Sequence, residues 1–92
     1  MKINEALTKV ENIFEVKLKK YGNGSPKGSL WTATCKAKTG KIFECRVFSD
    51  ASNKNLSFVC LNERYTNSHQ KFKSLEELQT YLIFKKTFLQ FN

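Results

Sequence analysis

Apolar and polar side chains alternate with a period of two in the middle of the chain. Apolar residues hold every second position on both sides of Gly40, first Trp31, Ala33 and Cys35 and then Phe43, Cys45 and Val47. This period is typical of strands that bury one face. It predicts two strands, at about residues 29–37 and 41–48, joined by a tight turn.

The length of that turn determines which side chains share a face of the sheet. A two-residue loop at 39–40 would put the apolar residues of the first strand beside Glu44 and Arg46. A three-residue loop at 38–40 puts them beside the apolar residues of the second strand, and only this register gives a core face. It also matches a type I turn with a G1 bulge, in which glycine takes the last, left-handed position. The sequence therefore predicts the three-residue loop and an opposite, polar face made of Thr32, Thr34, Lys36, Glu44 and Arg46.

The start of the chain has a helical period, since apolar residues recur at Ile3, Leu7, Val10 and Phe14. With Asn4 as N-cap and Glu5 in the first turn, this predicts a helix at about 3–12. From Ile13 onward apolar residues alternate with charged ones, which predicts a strand at about 13–21. One helix continuing to Lys20 is the alternative. Residues 21–29 hold three of the four glycines and the only proline, so we expect a loop there.

After the hairpin, a polar connection at 49–55 leads into a strand predicted at about 56–64. Its alternation places Leu56, Phe58 and Cys60 toward the core. Residues 65–73 have no period and predict a loop. Ser74 and Glu77 have the spacing of a capping box, which predicts a helix at about 74–89 with an apolar stripe formed by Leu75, Leu78, Tyr81, Leu82, Phe88 and Leu89.

Together these elements predict a single α+β domain spanning residues 1–92. It is a four-stranded antiparallel β-meander with a short N-terminal helix and a longer C-terminal helix, both packed on one face. The core is expected to contain Phe14, Val16, Leu18, Trp31, Ala33, Cys35, Phe43, Cys45, Val47, Leu56, Phe58 and Cys60.

The charge of the chain favours an anionic partner. Sixteen Lys and Arg stand against eight Asp and Glu, a net charge of +8, although such a charge also suits a protein that it merely keeps soluble. The three cysteines have no metal-ligand spacing and cannot all pair within one chain, so we expect buried thiols in a reducing compartment. With neither a signal peptide nor a membrane-length apolar run, we expect a cytoplasmic protein with no membrane contact.

Groups that could carry catalysis are sparse. His69 is the only histidine and lies in a predicted polar loop, without the nucleophile, paired carboxylates or ligand cluster that catalysis or metal binding requires. Residues 22–24 resemble the start of a phosphate-binding glycine loop, but the strand-loop-helix context is missing, which favours a flexible connection. We therefore expect a binding protein rather than an enzyme, with no cofactor and no metal.

The candidate binding residues lie on the predicted solvent face of the sheet and at the turns around it. The face is expected to carry Lys17, Lys19, Tyr21, Lys36 and Arg46, and the bordering turns Lys20, Lys27, Lys38 and Lys41. Such cations could neutralise phosphates, and Tyr21, the one aromatic assigned to this face, offers a stacking surface. The alternative is a solvated face whose lysines prevent edge-to-edge aggregation.

The C-terminal segment carries more apolar bulk than one face of a helix buries. Phe84 and Phe91 either stay exposed as a contact for a protein partner or a second copy, or pack under the sheet.

The meander of four strands followed by a helix, with lysines and threonines on the open face, resembles the PUR and Whirly type modules that bind single-stranded nucleic acid. A sheet with a capped helix at 72–82, in a chain rich in Lys, Asn and Phe, is also similar in format to small phage-encoded anti-CRISPR proteins. The first resemblance implies direct binding of DNA or RNA. The second implies an inhibitor, in the cytoplasm of a bacterial host, that docks on a nucleic-acid-containing effector complex and blocks target DNA binding or nuclease recruitment. This inhibitor is the preferred interpretation, and a regulatory module that binds single- or double-stranded DNA or RNA directly is the alternative. Format alone carries over no functional residue.

Overall fold

An antiparallel sheet with two helices on one face forms the architecture. The computed structural model describes residues 1–22, 26–63 and 69–88. Its elements are α1 (Ile3–Phe14), β1 (Lys19–Lys20), β2 (Leu30–Lys36), β3 (Ile42–Ser49), β4 (Leu56–Glu63), β5 (His69–Gln70) and α2 (Leu75–Phe88). The strands lie in the order β1-β2-β3-β4-β5, each antiparallel to the next. This confirms the predicted α+β meander between a short and a longer helix. β5 adds a short pairing where a loop was predicted.

The β2–β3 hairpin has the predicted three-residue loop. Ala33 lies opposite Cys45 and Cys35 opposite Phe43. The Ala37 N–H donates to the Lys41 carbonyl at 2.9 Å, and the Gly40 N–H donates back to the Ala37 carbonyl at 3.0 Å. Gly40 has φ +90°, a conformation that costs glycine little. The register therefore buries the apolar residues of both strands on one face.

α1 extends further than the sequence predicted, and the strand predicted at 13–21 is wrong over most of its length. The helix continues to Phe14 because that side chain completes the buried stripe with Ile3, Ala6 and Val10. It ends at Glu15, whose φ of +55° is left-handed. Val16 and Leu18 then pack against the core from a segment outside any helix or strand, and only Lys19–Lys20 join the sheet. The alternative of one helix to Lys20 is also wrong.

The N-terminus of α1 is held by the β3–β4 loop and not by Asn4. Lys2 occupies the N-cap position and makes no side-chain cap bond. Instead the Ile3 N–H donates to the Lys54 carbonyl at 2.8 Å, and the Leu56 N–H donates to the Met1 carbonyl at 2.9 Å. A helix-end donor can be satisfied by tertiary backbone contacts as well as by a cap, so the predicted capping role of Asn4 is wrong.

β4 contains a bulge that reverses which of its side chains face the helices. Phe48 pairs with Phe58, but Ser49 pairs with Leu56, which leaves Ser57 as the extra residue. A bulge shifts the alternation by one position. Leu56 still packs against the core, but beyond the bulge Val59 and Leu61 point to it. The predicted orientation of Phe58 and Cys60 toward the helices is therefore wrong, since both lie on the opposite face. Cys60 is buried as predicted, at 2% exposure.

α2 begins after Ser74 as predicted, and the reciprocal bond of the capping box goes to the N–H of Lys73 in place of that of Ser74. The Glu77 N–H donates to Ser74 Oγ at 3.2 Å, and the Glu77 carboxylate accepts from the Lys73 N–H at 2.8 Å. Leu78 and Leu82 are fully buried against α1 and the sheet.

The outer face of α2 exposes large apolar side chains, namely Ile83, Phe84 and Phe88. Phe84 is 60% exposed, so it does not pack under the sheet. Leu89 and Phe91 lie outside the described residues. Among the helices of the described segments, none is long and apolar enough to cross a membrane.

Candidate functional site

The face of the sheet opposite the helices, called here the open face, is formed by every second residue of the central strands. The pairing fixes its members, because cross-strand partners point to the same side. They are Lys19, Tyr21, Leu30, Thr32, Thr34, Lys36, Ile42, Glu44, Arg46, Phe48, Phe58 and Cys60.

One end of the open face is aromatic. The rings of Phe48 and Phe58 stack across β3 and β4 with centroids 4.3 Å apart and planes inclined by 22°. Leu30 lies opposite Phe48 on β2, and the Tyr21 N–H donates to the Leu30 carbonyl at 2.7 Å. Tyr21 is 72% exposed. We call these four residues the aromatic patch.

Sequence reasoning placed only Tyr21 in this patch. Phe48 could have been assigned to the open face, because it follows Val47, which the predicted register already turned toward the core. Phe58 could not, because its orientation depends on the extra residue Ser57. The alternation of the sequence carries no sign of that bulge.

Cations follow the aromatic patch along the same face. Lys19 lies opposite Thr32, and Lys36 ends β2 about 20 Å from Leu30 at the usual strand rise. Both side chains are exposed. Arg46 lies on β3 opposite Thr32, across β2 from Lys19. Its Nε donates to Glu44 Oε1 at 2.6 Å. This hydrogen bond raises the pKa of Arg46, so the guanidinium stays charged while Glu44 offsets part of its field.

The other predicted cations do not share this surface. Lys20 lies on the helix side of β1, with its ammonium 5.7 Å from the centroid of the Trp31 ring. Lys38 and Lys41 lie in and beside the hairpin turn, Lys27 lies in the loop before β2, and Lys17 precedes β1; all four are exposed. The structure thus brings Lys19, Lys36, Arg46 and Tyr21 onto the open face and leaves the rest at its borders.

A buried polar cluster fixes the backbone under the aromatic patch. The Ser29 N–H donates to Ser49 Oγ at 2.7 Å, and the Ser29 hydroxyl donates to Asn53 Oδ1 at 2.5 Å. Ser29 and Ser49 are both buried. The first bond joins the residue before β2 to the last residue of β3, and the second ties Ser29 to the β3–β4 loop. Leu30 and Phe48 are the chain neighbours of Ser29 and Ser49.

The three thiols are buried and chemically quiet. Burial raises the pKa of Cys35 to about 11, and it also raises the pKa values of Cys45 and Cys60. All three cysteines are free. Since the thiolate is the reactive form of cysteine, these residues are suited to packing.

We expect the folded protein to react slowly with a thiol reagent at about pH 8 and to lose stability above pH 9, the ordinary pKa of the thiol. A raised pKa means that the unfolded chain releases the proton first, so stability present at lower pH is lost as pH rises. For one thiol the loss is about 1.4 kcal/mol per pH unit up to the folded pKa. Urea unfolding at about pH 7.5 and about pH 10.5 measures this loss of stability. The comparison is Cys35→Ala, which lacks one of the three thiols. Rapid reaction of all three thiols in the folded protein would contradict the burial.

The described segments hold no group of three or more His, Cys, Asp or Glu side chains arranged to bind a metal ion. The site that remains is a partly apolar, partly cationic sheet face. No protein-family model, curated protein or solved structure matches this chain.

Proposed function

We propose that this chain is a non-enzymatic binding protein that docks through its open face on single-stranded nucleic acid, either free or exposed in a ribonucleoprotein. The observation that carries the proposal is the position of the aromatic patch beside cations on one surface of the sheet. Aromatic side chains stack on unpaired bases, and lysine and arginine neutralise the phosphates of the same strand.

The aromatic patch is the reason for preferring a single strand to a duplex. In a duplex the faces of the bases are stacked on each other, and a protein reaches only their edges and the backbone. Tyr21 offers an exposed ring, and the half-buried, stacked Phe48–Phe58 pair adds ring surface beside it. Of these three side chains only Tyr21 has a polar group that could bond a base edge. Stacking of this kind tolerates many sequences, so we expect weak base preference.

The cations of the open face provide contacts for the sugar-phosphate backbone of a bound strand. Lys19 lies close to the aromatic patch and Lys36 lies at the far end of β2. The distance between Leu30 and Lys36, about 20 Å, corresponds to several nucleotides. Arg46 contributes less than a free arginine, because its Nε is already bonded to Glu44.

Charge reversal of the two open-face lysines tests the proposal. We expect Lys19→Glu with Lys36→Glu to weaken binding of a single-stranded oligonucleotide about tenfold or more, and to lower the steepness of the salt dependence by roughly one unit per lost phosphate contact. The matched control is Lys9→Glu with Lys86→Glu, which makes the same change of net charge on the helices. Fluorescence anisotropy at two salt concentrations measures both.

Equal losses in the two double variants would show that only net charge matters, and would remove the open face from the proposal. A loss confined to the Lys19 and Lys36 variant, with unchanged thermal unfolding, is the expected result.

An inhibitor that acts on a CRISPR effector complex is the second candidate, and the outer face of α2 favours it. Phe84 and Phe88 stack with centroids 5.8 Å apart and are 60% and 68% exposed. Because α2 covers the other side of the sheet, a single molecule could hold the nucleic acid of a ribonucleoprotein with one surface and its protein with another. Exposed apolar patches commonly mark protein contacts.

The two candidates differ in what they bind. A protein that binds nucleic acid directly has the same affinity for a free guide RNA or single-stranded DNA as for the effector complex loaded with its RNA. The inhibitor binds the loaded complex much more tightly than its RNA alone, and Phe84→Ser with Phe88→Ser abolishes that difference. Affinities measured side by side for the assembled complex and its isolated RNA decide between them.

A further inference from the structure

A second, separate concave surface lies on the helix side of the sheet, where the β3–β4 loop, β1 and the start of α1 meet. It is a cavity of about 510 Å³ that three lysines line, Lys2, Lys20 and Lys54, together with Trp31, Ile3, Ser29 and three asparagines. We call it the lysine pocket. Its size falls within the usual range for small-molecule sites.

Backbone contacts bring the three lysines together from distant parts of the chain. The Ile3 N–H bonds the Lys54 carbonyl at 2.8 Å, and Lys2 forms a bridge with Asn55. Lys20 pairs with Trp31 in the β1–β2 ladder. The contacts that start α1 therefore bring Lys2 and Lys54 together, and the β1–β2 pairing adds Lys20 to the same pocket.

No carboxylate of the described residues lines the pocket to balance these charges. The nearest acid in the same loop, Asp50, is engaged within it, since Ser52 Oγ donates to one carboxylate oxygen at 2.6 Å and Asn55 Nδ2 to the other at 3.1 Å. These bonds lower the pKa of Asp50 to about 2. Asp50 therefore stays ionised, but it is the one carboxylate of that loop and three lysines line the pocket. The excess of positive charge attracts an anion.

The neutral groups of the lysine pocket also favour an anion. Asn53 Oδ1 accepts the Ser29 hydroxyl at 2.5 Å and the Ser49 hydroxyl at 3.2 Å, so the other end of its amide, which lines the pocket, is a donor. Donors and cations suit a ligand made of acceptor oxygens.

We propose that the lysine pocket binds a phosphate-bearing ligand, with the three ammonium groups holding its oxygens beside the Trp31 ring. The proposal is independent of the open face, because Lys20 and Trp31 of the pocket lie on the opposite side of the sheet. The ligand could be a small free phosphate compound or the terminal phosphate of a nucleic acid strand, because both present the same chemistry.

Trp31 makes the test direct, since it is the only tryptophan of the chain and lies in the pocket. Inorganic pyrophosphate is titrated into the full chain at constant ionic strength while Trp31 fluorescence is recorded. We expect a saturable change. Lys54→Ala and Lys2→Ala should each weaken binding about tenfold, the loss expected for one charge-assisted hydrogen bond.

The control is Lys36→Ala, which removes the same charge from the open face and should leave the affinity for pyrophosphate unchanged. Equal weakening in Lys36→Ala and Lys54→Ala, or no saturable change in the wild type, overturns the proposal. Oligonucleotides that differ only in a 5′-phosphate identify the source. Tighter binding of the phosphorylated strand, lost in Lys54→Ala, indicates a nucleic-acid terminus, whereas equal binding together with a pyrophosphate response indicates a small phosphate compound.

Discussion

Replacing Gly28 by alanine is expected to destabilise the fold by about 3 kcal/mol or more. A Cβ at this position would overlap the Ser49 carbonyl oxygen and lie 2.7 Å from that of Asp50. These are backbone atoms at the end of β3, so they cannot turn aside as a flexible side chain would. Gly28 also has φ +123°, which L-residues avoid. Steric overpacking and backbone strain each cost about 1–3 kcal/mol, against a total stability of about 5–14 kcal/mol for a chain of this length.

Gly40→Ala is the matched control. Gly40 also has a positive φ, +90°, but a Cβ added there would meet nothing within 4 Å. This substitution should cost only the backbone strain of an L-residue at positive φ, about 1–2 kcal/mol of stability. Urea unfolding of both variants compares the two. Equal losses would mean that Gly28 does not pack against the carbonyl groups at the end of β3.

Replacing Leu82 by alanine is expected to cost about 3 kcal/mol, whereas Ile83→Ala next to it should cost less than about 1 kcal/mol. Leu82 is 0% exposed and Ile83 is 48% exposed. Truncation of a buried leucine removes its transfer free energy and leaves a cavity, at a typical total of about 2–5 kcal/mol. Truncation of an exposed aliphatic side chain removes little transfer free energy and leaves no comparable cavity.

Comparing the two variants isolates the effect of burial on the free energy of unfolding, because both substitutions leave alanine in the same turn of α2 and change helix propensity only slightly. Similar losses from Leu82→Ala and Ile83→Ala would contradict the side of α2 assigned to the core.

The sequence predicts the fold well where one local rule decides the structure. The β2–β3 hairpin is the clearest case, because Gly40 and the alternation on either side agree on one register. The start of α2 is another, since Ser74 and Glu77 lie close together in the chain and need no distant partner.

Prediction fails where a distant contact overrides the local pattern. Asn4 has the composition of an N-cap, but the Lys54 carbonyl takes the Ile3 N–H and the helix begins before Asn4. Phe14 fits both a helical stripe and an alternating strand, and burial against the core favours the helix. Neither outcome can be read from neighbouring residues alone.

The sequence predicts the cations of the open face but not most of its aromatic side chains. Lys19, Lys36 and Arg46 reach the open face as the alternation indicates. Phe58 reaches it only because Ser57 forms a bulge, and a single extra residue moves every later side chain of a strand to the other face.

The most direct test of the proposed function compares a single-stranded oligonucleotide of about 12 nucleotides with its duplex. The wild-type chain should bind the single strand at least about tenfold more tightly. Tyr21→Ala with Phe48→Leu, which keeps apolar bulk in the sheet, should lose about tenfold for the single strand, as expected from removing stacking partners, with little change for the duplex. Equal affinity for both forms, with no effect of the double variant on either, would contradict the binding surface proposed here.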